Sequence, residues 1–585
     1  MAVRSIRLHW LFIILVPVSA AIGFSYFVPG PVHYYDEGGV LANALAVAGS
    51  NSEADNHYYF GYPILLAPSV LLAGEPAGLF RWVQSTNVGL YGLTCYLLFL
   101  VLRSAAREAA LNPRTAVCLF GLLACCYPPL LSFTSMAWSE NFVFLLVAAS
   151  CYFLVELSRR RSQRAIVLLS ACIGLTMWTH PRLIPMVPAR LIALLFVGDR
   201  HAIKSNLFVL SSVALVMALA YHLLIHPGLE AMRSSHPGVP GERSYVAGNP
   251  LEVLLGLDLA GYRHIIARTL GGLLIFNING FLLPGMVISS LLRRYFARED
   301  RCPARNDGAF TPVVVFLSLS CIGTAVLVGF YFELYFADRV PGPGMAIATD
   351  PYTNRIDHWM YGRYTDAFLP VFLIIAFFYR SRKSLALSAL ATAVIAAITF
   401  ACLPGPMFAP NYINILALWP YHLPFFNTVT ELTDRLYLIA LLSIAFCGNL
   451  LVAYALLRSG LFPAAALAIF LLTAVLGHDI TRRHEAHTQV RYNFGSTMGA
   501  NLAQGDCIYV DSGSITLPHG MYAFLLTPHE LFDLNLGAEI VPCNGLLTMD
   551  PANFSNEFRT VTGPTDGFYG MVRRGYPRNQ PQTDR

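Results

Sequence analysis

Charge is what this chain lacks. Only 12% of its 585 residues are Asp, Glu, Lys or Arg, against 56% hydrophobic. A soluble domain carries about a quarter charged residues, so an ordinary soluble fold is excluded. The mean hydropathy of +0.55 and the repeated long apolar runs read as a polytopic helical membrane protein. Its twelve cysteines follow no metal or redox spacing, and most sit inside apolar runs as small core residues. No internal repeat is visible. The net charge of +5 does not indicate nucleic acid, because the basic residues flank the apolar runs.

Those basic residues set the topology, since cytoplasmic loops carry the excess of Lys and Arg. The clusters are Arg4/Arg7, Arg103/Arg107/Arg114, Arg159/Arg160/Arg161/Arg164, Arg200/Lys204, Arg293/Arg294/Arg298/Arg301/Arg305, Arg380/Arg382/Lys383 and Arg458. Placing all of them inside predicts about thirteen spans by the length criterion. The N-terminus is then cytoplasmic and the C-terminus outside. The expected spans lie near 9–28, 80–102, 115–132, 141–157, 165–179, 183–198, 205–226, 265–292, 311–336, 364–379, 385–402, 435–457 and 461–478. Val18-Ser19-Ala20 resembles a signal-peptide cleavage site, but the apolar run continues to Val28, long enough for an uncleaved first span. The run from Tyr58 to Leu72 is short and holds Pro63 and Pro68. Counting it as a span would invert every later loop, so it reads as an interfacial helix. Val40, Leu41, Ala44, Leu45 and Ala48 form a second apolar stripe at helical spacing.

The expected organisation is therefore a membrane unit over 1–479, whose first outer loop, 29–79, carries two surface helices. A small extracytoplasmic α/β or α+β domain occupies 480–585. Strand-like runs there are Cys507–Val510, Met521–Leu526 and Gly570–Val572. An oxidising compartment permits a Cys507–Cys543 disulfide.

The chemistry-bearing residues cluster at the outer mouths of the spans. Asp36 and Glu37 stand side by side just after the first span. Transfer of a sugar from a polyprenyl phosphate needs no proton for the departing phosphate. One carboxylate suffices, as general base for the acceptor hydroxyl, with cations to hold the phosphate. Asp36 is the candidate base and Glu37 its orienting partner or alternate. A helix-start signal is the competing reading of the pair. Glu140, at the mouth of the fourth span, is a candidate for binding acceptor or positioning Asp36. His180 and Arg182, in Thr179-His180-Pro181-Arg182, lie on an outer turn, and Arg182 is a phosphate candidate, with headgroup snorkelling as the alternative. A denser cluster holds His358, Trp359, Tyr361, Arg363 and Asp366. There Arg363 suits a phosphate and the aromatics suit a sugar face. His57 and Tyr62 lie in an aromatic stretch fit for a donor or acceptor groove, or for an interfacial belt. His478, His484 and His487 do not make up a zinc set by spacing alone.

An Asp-Glu pair after the first span, surface helices with Tyr62-Pro63, many spans and an outer C-terminal domain resemble the GT-C superfamily of polyprenyl-phosphate-sugar-dependent glycosyltransferases. Protein O-mannosyltransferases, the lipid A aminoarabinose transferase and arabinofuranosyltransferases belong to it. The resemblance implies Asp36 as catalytic carboxylate, a lipid-phosphate role for Arg363 in Tyr361-Gly362-Arg363-Tyr364, inversion at the sugar and no required metal or other cofactor. The expected partners are a polyprenyl-phosphate sugar donor, a glycan, lipid or protein acceptor, and membrane lipids. The setting it implies is a bacterial inner or plasma membrane. No Trp-Trp-Asp signature is present, which argues against an oligosaccharyltransferase. A lipid-linked saccharide transporter or flippase and a polysaccharide polymerase or ligase are the rival classes.

Overall fold

The computed structural model describes residues 2–28, 34–49, 60–73, 76–108, 114–197, 200–220, 223, 255–296, 310–337, 356–360, 362–376, 378–379, 381–403, 419–422 and 435–458. It also describes scattered residues from 461 to 502, then 506–510, 530–533, 545–548, 552, 555–556, 558–565 and 568–574.

Helix α1 (Ala2–Phe27) takes the place of the expected first span. Two short helices come next, α2 (Tyr34–Val47) and α3 (Gly61–Leu72). At 1.5 Å per residue, twelve residues reach only about 18 Å, too short to cross a membrane. The helix α3 is therefore short. Its Leu71 and Leu72 are exposed while Tyr62 and Leu66 are fully buried.

The bundle continues with α4 (Pro76–Glu108), α5 (Arg114–Cys125), α6 (Pro128–Ser132), α7 (Glu140–Arg160), α8 (Gln163–Thr179), α9 (Met186–Leu194) and α10 (Arg200–Ala220). Then come α11 (Leu259–Asn279), α12 (Leu283–Phe296), α13 (Thr311–Ala337), α14 (Ile356–Trp359), α15 (Leu369–Ala376), α16 (Arg382–Cys402) and α17 (Arg435–Leu457). The tightest neighbours are α4 with α7, α7 with α8, α8 with α10, and α11 with both α13 and α16. Among the described residues five helices are long and apolar enough to span: Gly78–Ala106, Glu140–Arg160, Thr311–Glu333, Arg382–Cys402 and Leu436–Leu457. The bent pair Leu259–Asn279 and Leu283–Arg293 makes a sixth. The other expected spans coincide with shorter helices or fall partly outside the described residues.

The expected continuous span at 265–292 is instead broken, α11 and α12 meeting at 101°. Phe281 and Leu282 take left-handed φ values of 55° and 61°, which side chains resist. Such a break at membrane depth must satisfy its own backbone groups. Asn277 Oδ1 accepts the Gly285 N–H at 2.8 Å, and Ser388 Oγ donates to the Leu282 carbonyl at 2.8 Å. Asn449 Nδ2 donates to the Ile278 carbonyl at 2.7 Å.

Near the C-terminus lies a five-stranded mixed sheet of order β2-β1-β3-β5-β4. Its strands are β1 (Cys507–Val510), β2 (Glu530–Asp533), β3 (Gly545–Thr548), β4 (Phe558–Thr565) and β5 (Phe568–Arg573). β1 runs parallel to β2 and β3; β3–β5 and β4–β5 are antiparallel. Successive strand residues face opposite sides. Tyr509 and Met571 accordingly join Leu546 and Phe558 in one small core, while Ile508 and Val572 pack into the large apolar core with Phe494 and Met498. The strand expected at Met521–Leu526 lies outside the described residues. Cys507 is disulfide-bonded; Cys543 lies outside the described residues.

Candidate active site

The N-terminal end of α7 is built around the segment from Phe133 to Ser139. Pro128 and Pro129 start α6, and a 3-10 turn over Phe133–Ser135 leads the chain into extended backbone at Met136. Three side chains pin this segment. Asn87 Nδ2 donates to the Met136 carbonyl at 2.6 Å, Asn141 Nδ2 to the Phe133 carbonyl at 2.5 Å, and the Ala137 N–H to Glu37 Oε2 at 2.7 Å. Glu37 is fully buried, so its carboxylate ties α2 to the entry of α7. Tyr62 of α3 donates to Asn87 Oδ1. Burial is the main cause holding its phenol well above the usual range, and the nearby carboxylates of Glu37 and Glu140 push the same way. Gly61 lets α3 approach α8: a Cβ there would stand 2.9 Å from the Trp178 backbone.

Glu140 is the first residue of α7 and 2% exposed. Its Oε1 accepts from Arg182 Nη2 at 2.6 Å and from Arg363 Nε at 2.5 Å. The Arg363 guanidinium lies 3.5 Å from the Trp138 ring centroid, and that of Arg182 4.0 Å from Tyr364. His180 Nδ1 accepts the Arg182 N–H at 3.2 Å. His180 keeps part of its surface exposed, yet its pKa falls well below the ordinary value. Desolvation is the first cause and the Arg182 charge the second, with Glu140 opposing. So Glu37, Tyr62, Glu140, His180, Arg182 and Arg363 meet at one end of the bundle.

Asp366 is buried and accepts from Tyr127 Oη at 2.9 Å. His358 stacks on Phe332 at 4.8 Å. Trp359 is fully buried within a second charged cluster. The Arg268 guanidinium sits 4.5 Å from its ring centroid and His264 meets it edge-on at 5.2 Å. Glu333 bridges Arg268 at 2.9 Å and His264 at 3.3 Å. Asp36 lies in the first turn of α2, but its side chain is outside the described residues. His57 and Tyr361 are outside them altogether.

A family model described as dolichyl-phosphate-mannose-protein mannosyltransferase matches residues 81–226. The chain superposes on ArnT from Cupriavidus metallidurans bound to undecaprenyl phosphate. That superposition has a TM-score of 0.52 and 13% identity, covering 96% of this chain and 97% of that one. The apo form of that protein gives 0.51 and 13%, with coverages of 95% and 97%. The chain has the GT-C fold. No curated protein matches it by sequence.

The family match contains Glu140, His180 and Arg182 and ends before Arg363. The GT-C fold adds Arg363 from 223 residues along the chain. Sequence reasoning missed His264, just before an expected span, and Arg268 and Glu333, which it absorbed into apolar spans. Their signal was present: an arginine one turn after a histidine on α11, and a glutamate near the end of the most apolar span. Ionisable groups at such positions mark function or tight pairing. Among the described residues no group of three or more His, Cys, Asp or Glu is placed to hold a metal ion. Chemically, this cluster offers two guanidiniums sharing one carboxylate oxygen, which leaves the trio one positive charge in excess. That arrangement suits an anion.

Proposed function

We propose that this chain is a membrane glycosyltransferase. It moves one sugar from a polyprenyl-phosphate donor to a hydroxyl acceptor on the extracytoplasmic face. The observation that carries the reading is the meeting of Glu37, Glu140, Arg182 and Arg363 at one end of a GT-C bundle.

Asp36 is the general base that takes the acceptor hydroxyl proton. It sits one residue before Glu37, whose buried carboxylate is spent on the Ala137 N–H; Glu37 therefore positions α2 against α7. As the sugar–phosphate bond breaks, negative charge grows on the phosphate. Arg363 and Arg182 meet it, with Trp138 and Tyr364 keeping their planes fixed. A preorganised cation acts strongly in a dry site and needs no rearrangement during the reaction. A single displacement of this kind inverts the sugar carbon. The donor's lipid tail lies between spans and the C-terminal sheet helps to select the acceptor. The protein sits in a bacterial inner or plasma membrane, with its N-terminus in the cytoplasm and no required metal.

One observation favours a second reading. A broken helix pair such as α11–α12 is a transporter feature, and a lipid-linked saccharide flippase would use it. The same assay separates the two. Purified protein in proteoliposomes is given a polyprenyl phosphate carrying a labelled sugar together with a hydroxyl acceptor, and both loss of donor and its passage across the bilayer are monitored. Asp36→Asn should slow transfer by about 10²–10⁴-fold, the usual worth of a general base, in protein that elutes as the wild type does. An unchanged rate removes Asp36 as the base. Donor that crosses the bilayer without being consumed supports the flippase.

A further inference from the structure

A polar pair outside this site has unused bonding capacity. Trp419–His422 forms a 3-10 turn between α16 and α17, and Asp479 comes after the last apolar stretch of the chain. His422 Nδ1 lies 2.9 Å from Asp479 Oδ2, with the side chains 5% and 24% exposed. A carboxylate only accepts, so Nδ1 carries the proton and Nε2 of the neutral ring is an acceptor. That Nε2 is buried with no hydrogen-bond partner, and so is Trp419 Nε1, which can only donate. Side chains at i and i+3 of a 3-10 turn eclipse one another, so the two rings share one face of the turn. An orphan acceptor and an orphan donor on one face match a hydroxyl group, which does both. Leaving both atoms empty is costly.

The rings are braced. Trp419 lies against α17 at Gly448, where a Cβ would stand 3.0 Å from the indole. Tyr421 meets the His422 ring edge-on at 5.6 Å. Trp419 and Tyr421 pack on the same apolar cluster as Trp359 and Met360, the residues leading to Arg363. The turn therefore borders the segment that leads to Arg363. The Asp479 carboxylate repels phosphate and tolerates a neutral polyol. Asp479 also stands at the start of the segment that leads to the C-terminal sheet.

We propose that Trp419, His422 and Asp479 form a subsite for a hydroxyl of a saccharide acceptor. The orphan nitrogens bind the hydroxyl and Asp479 fixes the imidazole tautomer. This rests on the glycosyltransferase reading. The test uses the full chain in lipid nanodiscs, a polyprenyl phosphate bearing a labelled sugar, and a cell-envelope extract as acceptor. Transfer into the extract and release of sugar to water without extract are measured separately. His422→Phe keeps the ring volume and removes the acceptor atom. It should raise the half-saturating extract concentration about ten-fold, the scale of one lost buried hydrogen bond. The maximal rate should stay within about two-fold, as for loss of uniform binding, with hydrolysis unchanged. His422→Gln, which restores an acceptor atom, should recover part of the loss. Trp419→Phe should mimic His422→Phe and serves in its place if that variant does not fold. An unchanged extract dependence overturns the proposal and leaves an enclosed water as the occupant. A parallel fall of transfer and hydrolysis in both His422 variants overturns it too, assigning the turn a structural role. Wild-type protein that consumes no donor instead defeats the glycosyltransferase reading.

Discussion

Replacing Glu140 by Gln keeps the side chain's shape and removes its charge. In the native site one carboxylate oxygen holds two guanidiniums at 2.6 and 2.5 Å, with the three side chains 2%, 6% and 9% exposed. Taking one partner from a buried pair costs about 3–5 kcal/mol, because the other charge is left without compensation. Glu140→Gln strands two guanidiniums at once, so its cost belongs at or above the top of that range. Arg182→Met or Arg363→Met is different. Each leaves a balanced Glu140–Arg pair and keeps an apolar stem against Tyr364 or Trp138. Each should therefore cost less than Glu140→Gln, although all three delete charge from the same node. The double variant Glu140→Gln/Arg182→Met should be more stable than Glu140→Gln alone, since it removes one stranded cation. The assay is the apparent melting temperature of the detergent-solubilised protein, read by fluorescence-detected size exclusion at fixed lipid and salt. A Glu140→Gln protein as heat-resistant as the wild type refutes the reasoning. So does either single arginine variant melting below Glu140→Gln.

Two further outcomes are expected. Gly271 of α11 stands where a Cβ would lie 2.0 Å from the Trp359 carbonyl oxygen. Gly271→Ala must push the segment leading to Arg363 off the bundle, at about 1–3 kcal/mol of overpacking. Transfer activity should fall, and full activity with an unchanged melting point would show that the contact is slack. For His180 the native pKa is depressed by burial and by Arg182. Stability is therefore complete above about pH 6.5, the ordinary histidine value, and declines as the pH drops below it, because the unfolded chain takes up a proton that the native site resists. His180→Asn should remove that decline. The melting-point gap between variant and wild type should then shift in favour of the variant from pH 7.5 to 5.5. A gap that does not change with pH contradicts the assignment.

What the sequence made legible depended on local cues. The proline-bearing run ending at Leu72 was too short to span, and α3 has twelve residues. Cys507–Val510 was strand-like in composition and forms β1, and Gly570–Val572 falls inside β5. The elbow at Phe281–Leu282 was not legible. Both residues are apolar and continue the helical run, and no periodicity reports a positive φ. What stabilises the elbow is distant in sequence, since Asn277 bonds Thr392 at 2.6 Å and Asn449 bonds Ile278. The tie between Arg268 and Glu333 was hidden for the same reason. Each residue was tolerable at the end of its own span, and only the packing of α11 on α13 makes them partners.

The arginines show how far residue type alone can carry a site. Arg182 was recognisable as a phosphate candidate because a cation on an expected outer loop runs against the orientation rule, and Arg363 because it stands in a dense cluster of acids, histidine and aromatics. No local pattern signalled that Glu140 takes both of them on one oxygen. That contact is compatible with the proposed phosphate role. Glu140 cancels one charge of two, and the remaining positive charge is delocalised over two planar groups stacked on Trp138 and Tyr364. Stacking fixes the guanidinium planes before a ligand arrives, so less ordering is left to be done on binding. Glu140 is thus what allows two arginines to lie buried side by side. Any variant that lowers donor affinity by altering Glu140 should act through the arginines' positions, and should leave the Glu37–Ala137 tie between α2 and α7 intact.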